Sequence, residues 1–444
     1  MIAQFAVSMM WIAWDYEEMS EELQRLLANR KNASAIRGIY SVCSAHPWVL
    51  QAAMQQAMAS GGPLLIEATS NQVNQFGGYT GMQPADFYRM VLDLAQQQNF
   101  PAERLILGGD HLGPNPWQHL PAAEAMVFAE AMVAAYAVAG FTKLHLDASM
   151  PCADDPSFLQ DAVVAERAAR LCRAAEQAEP GKTLLYIVGT EVPTPGGATE
   201  SLGHLHVTTR QAALQTLKVH KQVFAEHGLE HVWPRVVAVV VQPGVEFNHD
   251  SVVFYQPDKA ADLITLLADQ ETLVFEAHST DYQLPLGYQE LVRDGFAILK
   301  VGPALTFAMR EALFALATIE TNLVAESQWS RLPEVIEQAM LNKPKDWVKH
   351  YEGAPREQAL LRRFSYSDRI RYYWNDPHVQ EAVDRLLSNL QKQPIPETLI
   401  SAYLPEQYSR LRVQLASVAP QAFVLDRIRQ ALEPYAAACT PVSI

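Results

Sequence analysis

Cysteine is scarce in this chain of 444 residues: four thiols, Cys43, Cys152, Cys172 and Cys439, stand far apart with no CxxC spacing. A disulfide scaffold and a cysteine-built zinc site are excluded, and the thiols read as reduced ones in a reducing compartment. Basic residues are outnumbered, 34 against 49 acidic, for a net charge of −15, which argues against nucleic acid or an anionic membrane as the main partner. No Lys or Arg precedes Arg25, so the apolar opening lacks the basic flank of a signal peptide. No apolar run reaches the roughly 18–20 residues of a membrane helix. The expectation is a cytoplasmic protein away from membranes. There is no GxxxxGK[ST] phosphate loop, no kinase catalytic set and no GxGxxG after the first strand, so P-loop kinase and dinucleotide-binding readings fall away.

What is present is a rhythm. Short apolar runs at 38–43, 63–68, 104–109, 143–147, 184–189, 236–242, 273–277 and 297–301 alternate with helix-compatible stretches at 46–60, 84–97, 120–139, 161–179, 208–227, 257–270, 286–294 and 305–323. Several runs, such as 236–241, are almost wholly apolar, as strands buried on both faces must be. Eight strand–helix pairs in about 290 residues predict a closed (β/α)8 TIM barrel. Residues 1–30 read as an added amphipathic helix, 31–325 as the barrel and 326–444 as a helical extension interrupted by Pro344, Pro394, Pro396 and Pro405.

In such a barrel the loops after the strands build the active face, and here every strand ends in polar residues. Asp110, His111 and His278 are the best metal candidates, with Glu191 or Gln242 completing the shell. Imidazole and carboxylate together suit zinc or another divalent ion such as manganese, which would act as a Lewis acid on a ketose C2 carbonyl. His145 and Asp147 lie two apart and share a strand face. Asp110, Glu191, Glu276 and Asp147 are the candidate acid–base carboxylates. For a phosphate, the Ser279-Thr280 turn and the Gly302-Pro303 turn offer backbone amides, with Lys300 and Arg310 as supplementary cations and Asp281, Asn71 and Gln72 as further rim contacts. Arg369, Arg371 and Tyr372-Tyr373-Trp374 read as a packed patch, core or interface. His119, His204, His206, His220, His227 and His231 read as ordinary surface or structural histidines.

The strings SVCSAHP at 41–47, LLIEATSNQVNQFGGYTGM at 64–82, LILGGDHLGPN at 105–115, HLDAS at 145–149, VQPGVEF at 241–247, EAHSTDYQ at 276–283, FAILKVGPALTFA at 296–308 and SDRIRYYW at 367–374 closely resemble the Z subunits of D-tagatose-1,6-bisphosphate aldolase, the GatZ/KbaZ family. The resemblance covers the chain from about residue 35 onward. It implies a place in galactitol and N-acetylgalactosamine catabolism, ketohexose phosphates as ligands and a non-catalytic, stabilising role beside a class II aldolase Y subunit, with homo-oligomers expected. Some relatives imply an alternative: a metal-dependent 4-epimerase interconverting fructose 6-phosphate and tagatose 6-phosphate, with zinc, manganese, nickel or cobalt. More distantly, the layout is similar to class II zinc aldolases, whose Asp-His pair resembles Asp110-His111, with aspartate as acid–base and histidine on the metal. Their second metal histidine has no counterpart here, because Gln242 stands before Pro243-Gly244.

Overall fold

A computed structural model describes residues 16–28, 38–190, 205–270, 272–413, 415 and 418–440. Among the described residues ten strands form: β1 Ile39–Val42, β2 Leu64–Thr69, β3 Leu105–Leu112, β4 Lys143–Leu146, β5 Leu185–Val188, β6 Val236–Val240, β7 Glu246–Phe247, β8 Val252–Val253, β9 Val274–Ala277 and β10 Phe296–Val301. Eight of them close a parallel barrel in the order β1-β10-β9-β6-β5-β4-β3-β2, and β7 and β8 make a small separate hairpin. The (β/α)8 barrel read from the strand rhythm is the fold.

Side-chain alternation explains the barrel's interior. Ile39, Leu65, Ile106, Val274 and Ile298 share a buried apolar cluster, and two residues further along the same strands stand Ser41, Glu67, Gly108, Glu276 and Lys300. The interior is therefore apolar below and charged at the carboxyl-terminal end of the strands. At the other end, helix Tyr16–Ala28 places Leu23, Leu26 and Leu27 in that same apolar cluster and plugs the barrel. Outer helices start at prolines, including Pro47, Pro84, Pro257, Pro285 and Pro303, where the missing N–H costs nothing.

Helix Ala122–Ala139 is long and apolar enough by composition to cross a membrane, though two glutamates interrupt its apolar run. It carries Glu124 and Glu130, and it buries Met126, Met132 and Tyr136 as one of the helices around the barrel. Beyond helix Pro303–Leu323 the chain is helical, and its last helix, Pro420–Cys439, returns to pack on Pro47–Ser60, Pro285–Arg293 and Pro303–Leu323. The Tyr435 hydroxyl donates to the Thr280 carbonyl at 2.9 Å, tying this helix to the loop after β9.

Close approach of backbones sets the rims. A Cβ on Gly113 would lie 1.5 Å from the Asp147 carbonyl oxygen, and one on Gly108 would lie 2.6 Å from Glu67 Oε1. Gly113→Ala must therefore push the ends of β3 and β4 apart. The expected cost is about 3 kcal/mol or more, at the upper end for overpacking, read as a lower denaturant midpoint. An unchanged midpoint would show that these rims are not packed as described.

Candidate active site

The charged layer is a network of two lysines and three carboxylates. Lys143 Nζ lies 2.6 Å from Glu67 Oε1 and 2.8 Å from Glu276 Oε2. Lys300 Nζ pairs with Glu67 Oε2 and lies 2.8 Å from Asp110 Oδ1 and 3.3 Å from Glu276 Oε1. Ser41 Oγ donates to Glu67 at 2.5 Å. Burial alone would raise the Asp110 and Glu276 carboxyls, but their cationic neighbours outweigh it and hold both well below the usual range. Lys300 is the mirror case: burial would lower it, yet Asp110, Glu276 and Glu67 keep it well above its ordinary value.

Three imidazoles sit on this floor with ring centroids 4.9–5.2 Å apart: His111, His145 and His278. A regular strand would send Asp110 and His111 to opposite faces. Here the β3–β4 register slips between Gly109 and Leu112, and His111 adopts φ +48°, so both residues line one pocket. His111 Nδ1 lies 2.9 Å from Asp147 Oδ2. Burial opposes a charge on His111, but Asp110 and Asp147 prevail and raise its pKa. His278 goes the other way: burial drives it down to about 3, leaving a neutral ring at pH 7 whose Nε2 lies 3.0 Å from Glu276 Oε1. Cys43 Sγ stands 3.6 Å from Asp110 Oδ2, and its thiol is pushed well up by burial and then by Asp110, so it is no thiolate nucleophile.

Asp110, His145, Glu276 and His278 each offer one ligand atom within 4.8 Å of the others. The donor set fits a divalent ion in two further ways. His145 Nδ1 lies 3.0 Å from Asp110 Oδ1, while its Nε2 is fully buried with no hydrogen-bond partner among the described residues. A buried ring nitrogen without a partner leaves room for a ligand there. The floor, counted with Asp147, also holds two more carboxylates than ammoniums.

The remaining expected residues fall as follows. Lys300, Asn71, Gln72, Ser279, Asp281 and Gly302 line the pocket with Asp110, His111 and His278. Gln242 does not join the metal-type quartet, because its Oε1 accepts from the amides of Gly244 (2.8 Å) and Val245 (3.0 Å) and caps that turn. Glu191 lies outside the described residues. Thr280 Oγ1 donates to the Lys300 carbonyl at 2.6 Å, tying β9 to β10 and not facing the pocket. The amides of Gly302 and Ala304, expected to hold a phosphate, both donate to Asp281 Oδ1, at 3.0 and 2.9 Å. Arg310 is buried near Asp368, 3.7 Å away, and off the pocket. Its place as a pocket cation falls to Arg371, which with Tyr372 and Trp374 lines the pocket and is no mere packed patch. Only the residue types could have hinted at this: an arginine beside aromatics, without a position relative to the barrel.

Fold and site together define a (β/α)8-barrel protein with a candidate divalent-metal centre at the carboxyl-terminal mouth. Over residues 23–440 the chain matches the family described as D-tagatose-1,6-bisphosphate aldolase subunit GatZ/KbaZ-like, and it belongs to that family. Among solved structures it is similar to a probable tagatose 6 phosphate kinase from Sinorhizobium meliloti 1021, with 51% identity over 90% of this chain and 100% of that one and a TM-score of 0.83. Looser likenesses are the YdjI aldolase from Escherichia coli K12 (10% identity, 84% and 98% covered, TM-score 0.39) and the fructose-bisphosphate aldolase of Campylobacter jejuni (13%, 84% and 92%, TM-score 0.41). At those scores they add nothing to the assignment.

Two outcomes test the site. In calorimetric titration with Zn²⁺ or Mn²⁺, His145→Ala and His278→Ala should each weaken binding at least 10- to 100-fold, as loss of ordering contacts already does in metal sites, while Gln242→Ala should not. Equal affinity in the parent and both histidine variants would remove the metal centre. The second test concerns His46, whose Nδ1 accepts from the Trp48 amide at 3.2 Å to cap helix Pro47–Ser60 and whose pKa burial lowers to about 4. A depressed folded value means its contribution is present above pH 6.5 and lost as pH falls through 4. After allowance for its partial exposure this amounts to roughly 1–2 kcal/mol. His46→Asn keeps a cap acceptor without the titration, so its stability should fall less steeply over that window.

Proposed function

We propose that this chain is a metal-dependent enzyme that inverts C4 of a ketohexose phosphate, interconverting D-fructose 6-phosphate and D-tagatose 6-phosphate. The observation that carries this reading is a buried quartet of two histidines and two carboxylates, of which Asp110 and His278 reach the pocket, with the His111–Asp147 pair beside it. The donor set, His145, His278, Asp110 and Glu276, suits zinc, with manganese, nickel and cobalt as the other candidates, and such an ion supplies Lewis-acid polarisation at the C2 carbonyl.

The chain's own groups move the proton. His111 takes the C4 hydroxyl proton as the C3–C4 bond breaks, giving glyceraldehyde 3-phosphate and the enediolate of dihydroxyacetone. Asp147 holds the ring in place and, with Asp110, stabilises the imidazolium. The aldehyde turns its other face, C3–C4 re-forms, and His111 returns the proton to the C4 oxygen. No atom is gained or lost. Asp110, already bonded to Lys300 and His145, serves as ligand and charge partner in this scheme and not as the proton carrier expected from the sequence.

The family description favours a second reading, that of a stabilising subunit for a class II aldolase Y subunit. The two roles are compatible in one protein, and we place both in the cytoplasm, with a homo-oligomer as the working form. The enzyme reading is tested by incubating the metal-loaded protein with fructose 6-phosphate and assaying tagatose 6-phosphate. His111→Gln should lower the rate roughly 10²–10⁴-fold with metal content retained, whereas Asp110→Asn should lower both. No product with any of the four ions would leave the subunit reading, which requires the chain to raise the thermal stability of a coexpressed Y-type aldolase. A His111→Gln protein that loses its metal would return His111 to the ligand shell.

A further inference from the structure

Arg371 stands half-buried on the wall of the pocket that has the histidines at its floor. Its Nη1 donates to the carbonyls of Ser367 and Asp368, the latter at 3.2 Å, and its Nη2 lies 3.1 Å from the Tyr372 hydroxyl. Two of these partners are backbone carbonyls and the third is a hydroxyl. Among the described residues no carboxylate comes within ion-pairing distance of it, although Arg310, Arg362, Arg410 and Arg427 in the same helical extension and its neighbours each have one. A desolvated guanidinium without a counter-ion is costly, and the ordinary remedy is an anion from outside.

The group is also held ready. Its guanidinium carbon lies 4.6 Å from the Tyr372 ring centroid, and Tyr372 in turn packs edge-on against Tyr79 at 4.7 Å. Two carbonyls and a ring face fix the fork, so little ordering remains to be done on binding. The competing place for an anion, the amide pair at Gly302 and Ala304, is already filled by Asp281. The floor repels anions, because its carboxylates outnumber its ammoniums.

We propose that Arg371, framed by Tyr372 and Tyr79, is the anion subsite of the pocket and takes the phosphate monoester of a sugar phosphate whose reacting carbons lie over the histidine floor. The ligand's identity as a sugar rests on the function proposed above, whereas the anion subsite does not. Its test is therefore binding and not turnover. Metal-free parent protein, Arg371→Met and Arg371→Lys are titrated calorimetrically with inorganic phosphate, and separately with fructose 6-phosphate and with fructose. Arg371→Met should weaken phosphate and fructose 6-phosphate roughly 10- to 100-fold, the range of a charge-assisted pair, with fructose unaffected. Arg371→Lys should recover part of the loss, and the Zn²⁺ affinity of both variants should match the parent, which shows an intact floor. Phosphate binding that is equal in parent and Arg371→Met, or absent from the parent, overturns the subsite. Arg371-dependent phosphate binding in a protein that converts no ketose phosphate would uphold the subsite and sink the epimerase reading alone.

Discussion

Lys143 and Lys300 are the constraint on which this barrel's mouth depends. Between them they bond carboxylates from β2, β3 and β9 while sitting themselves on β4 and β10, so five of the eight barrel strands meet in one ionic network. Removing one member would strand a buried charge at a cost of about 3–5 kcal/mol. Closing the barrel and assembling the site are thus one event. The same network dictates Gly108, since any larger residue would collide with Glu67. It also fixes the oxygens of Asp110 and Glu276 that lie beside His145 and His278.

Above this floor, the extension completes the pocket. Tyr366 lies 4.3 Å from Tyr282 in the loop after β9, Trp374 lies 6.3 Å from His46 in the loop after β1, and Tyr372 meets Tyr79 in the loop after β2. The Tyr282 hydroxyl donates to the Tyr366 carbonyl at 2.7 Å, and the Tyr366 amide donates to the His249 carbonyl at 2.9 Å. These contacts clamp the segment carrying Arg371 over three separate rims, so the pocket wall is as firmly placed as the strands beneath it.

Most of the floor was legible in the primary structure, and the wall was not. Strands buried on both faces announce themselves as apolar runs, and the position of Asp110, Glu276 and His278 at strand ends follows directly from counting. His145 was on view as well. It shares the face of Lys143, two residues before it, and Lys143 points into the barrel. Pairing His145 with Asp147 obscured this, because β4 ends at Leu146 and Asp147 bonds His111 from beyond it. The residues that lie apart from the quartet do so for tertiary reasons. Gln242 is diverted by the amides of a turn that follows it, and the helix start at Gly302 is occupied by a carboxylate 21 residues earlier in the chain. Arg371 comes about 70 residues after the last barrel strand, and no local pattern states which surface such a segment will cover.

The pocket's polarity gives the reason why floor and wall belong to one ligand. In the metal-free protein a phosphate dianion at the floor would meet surplus carboxylates, at about 4 kcal/mol for each unit-charge contact at 4 Å under an effective dielectric of 20. At the wall it would meet a guanidinium with no carboxylate in ion-pair contact among the described residues. A divalent ion has the opposite preference at both ends. The proposed ketohexose phosphate carries a carbonyl and hydroxyls for a cation at one end and an ester dianion at the other, so only one orientation satisfies both. In the proposed scheme that orientation would bring the C2–C4 stretch over His111, whose one contact with C4 is through the hydroxyl proton it carries. Stereochemistry at C4 is then left unselected by binding, which is the condition an enzyme must meet if it is to accept both epimers as substrate and product.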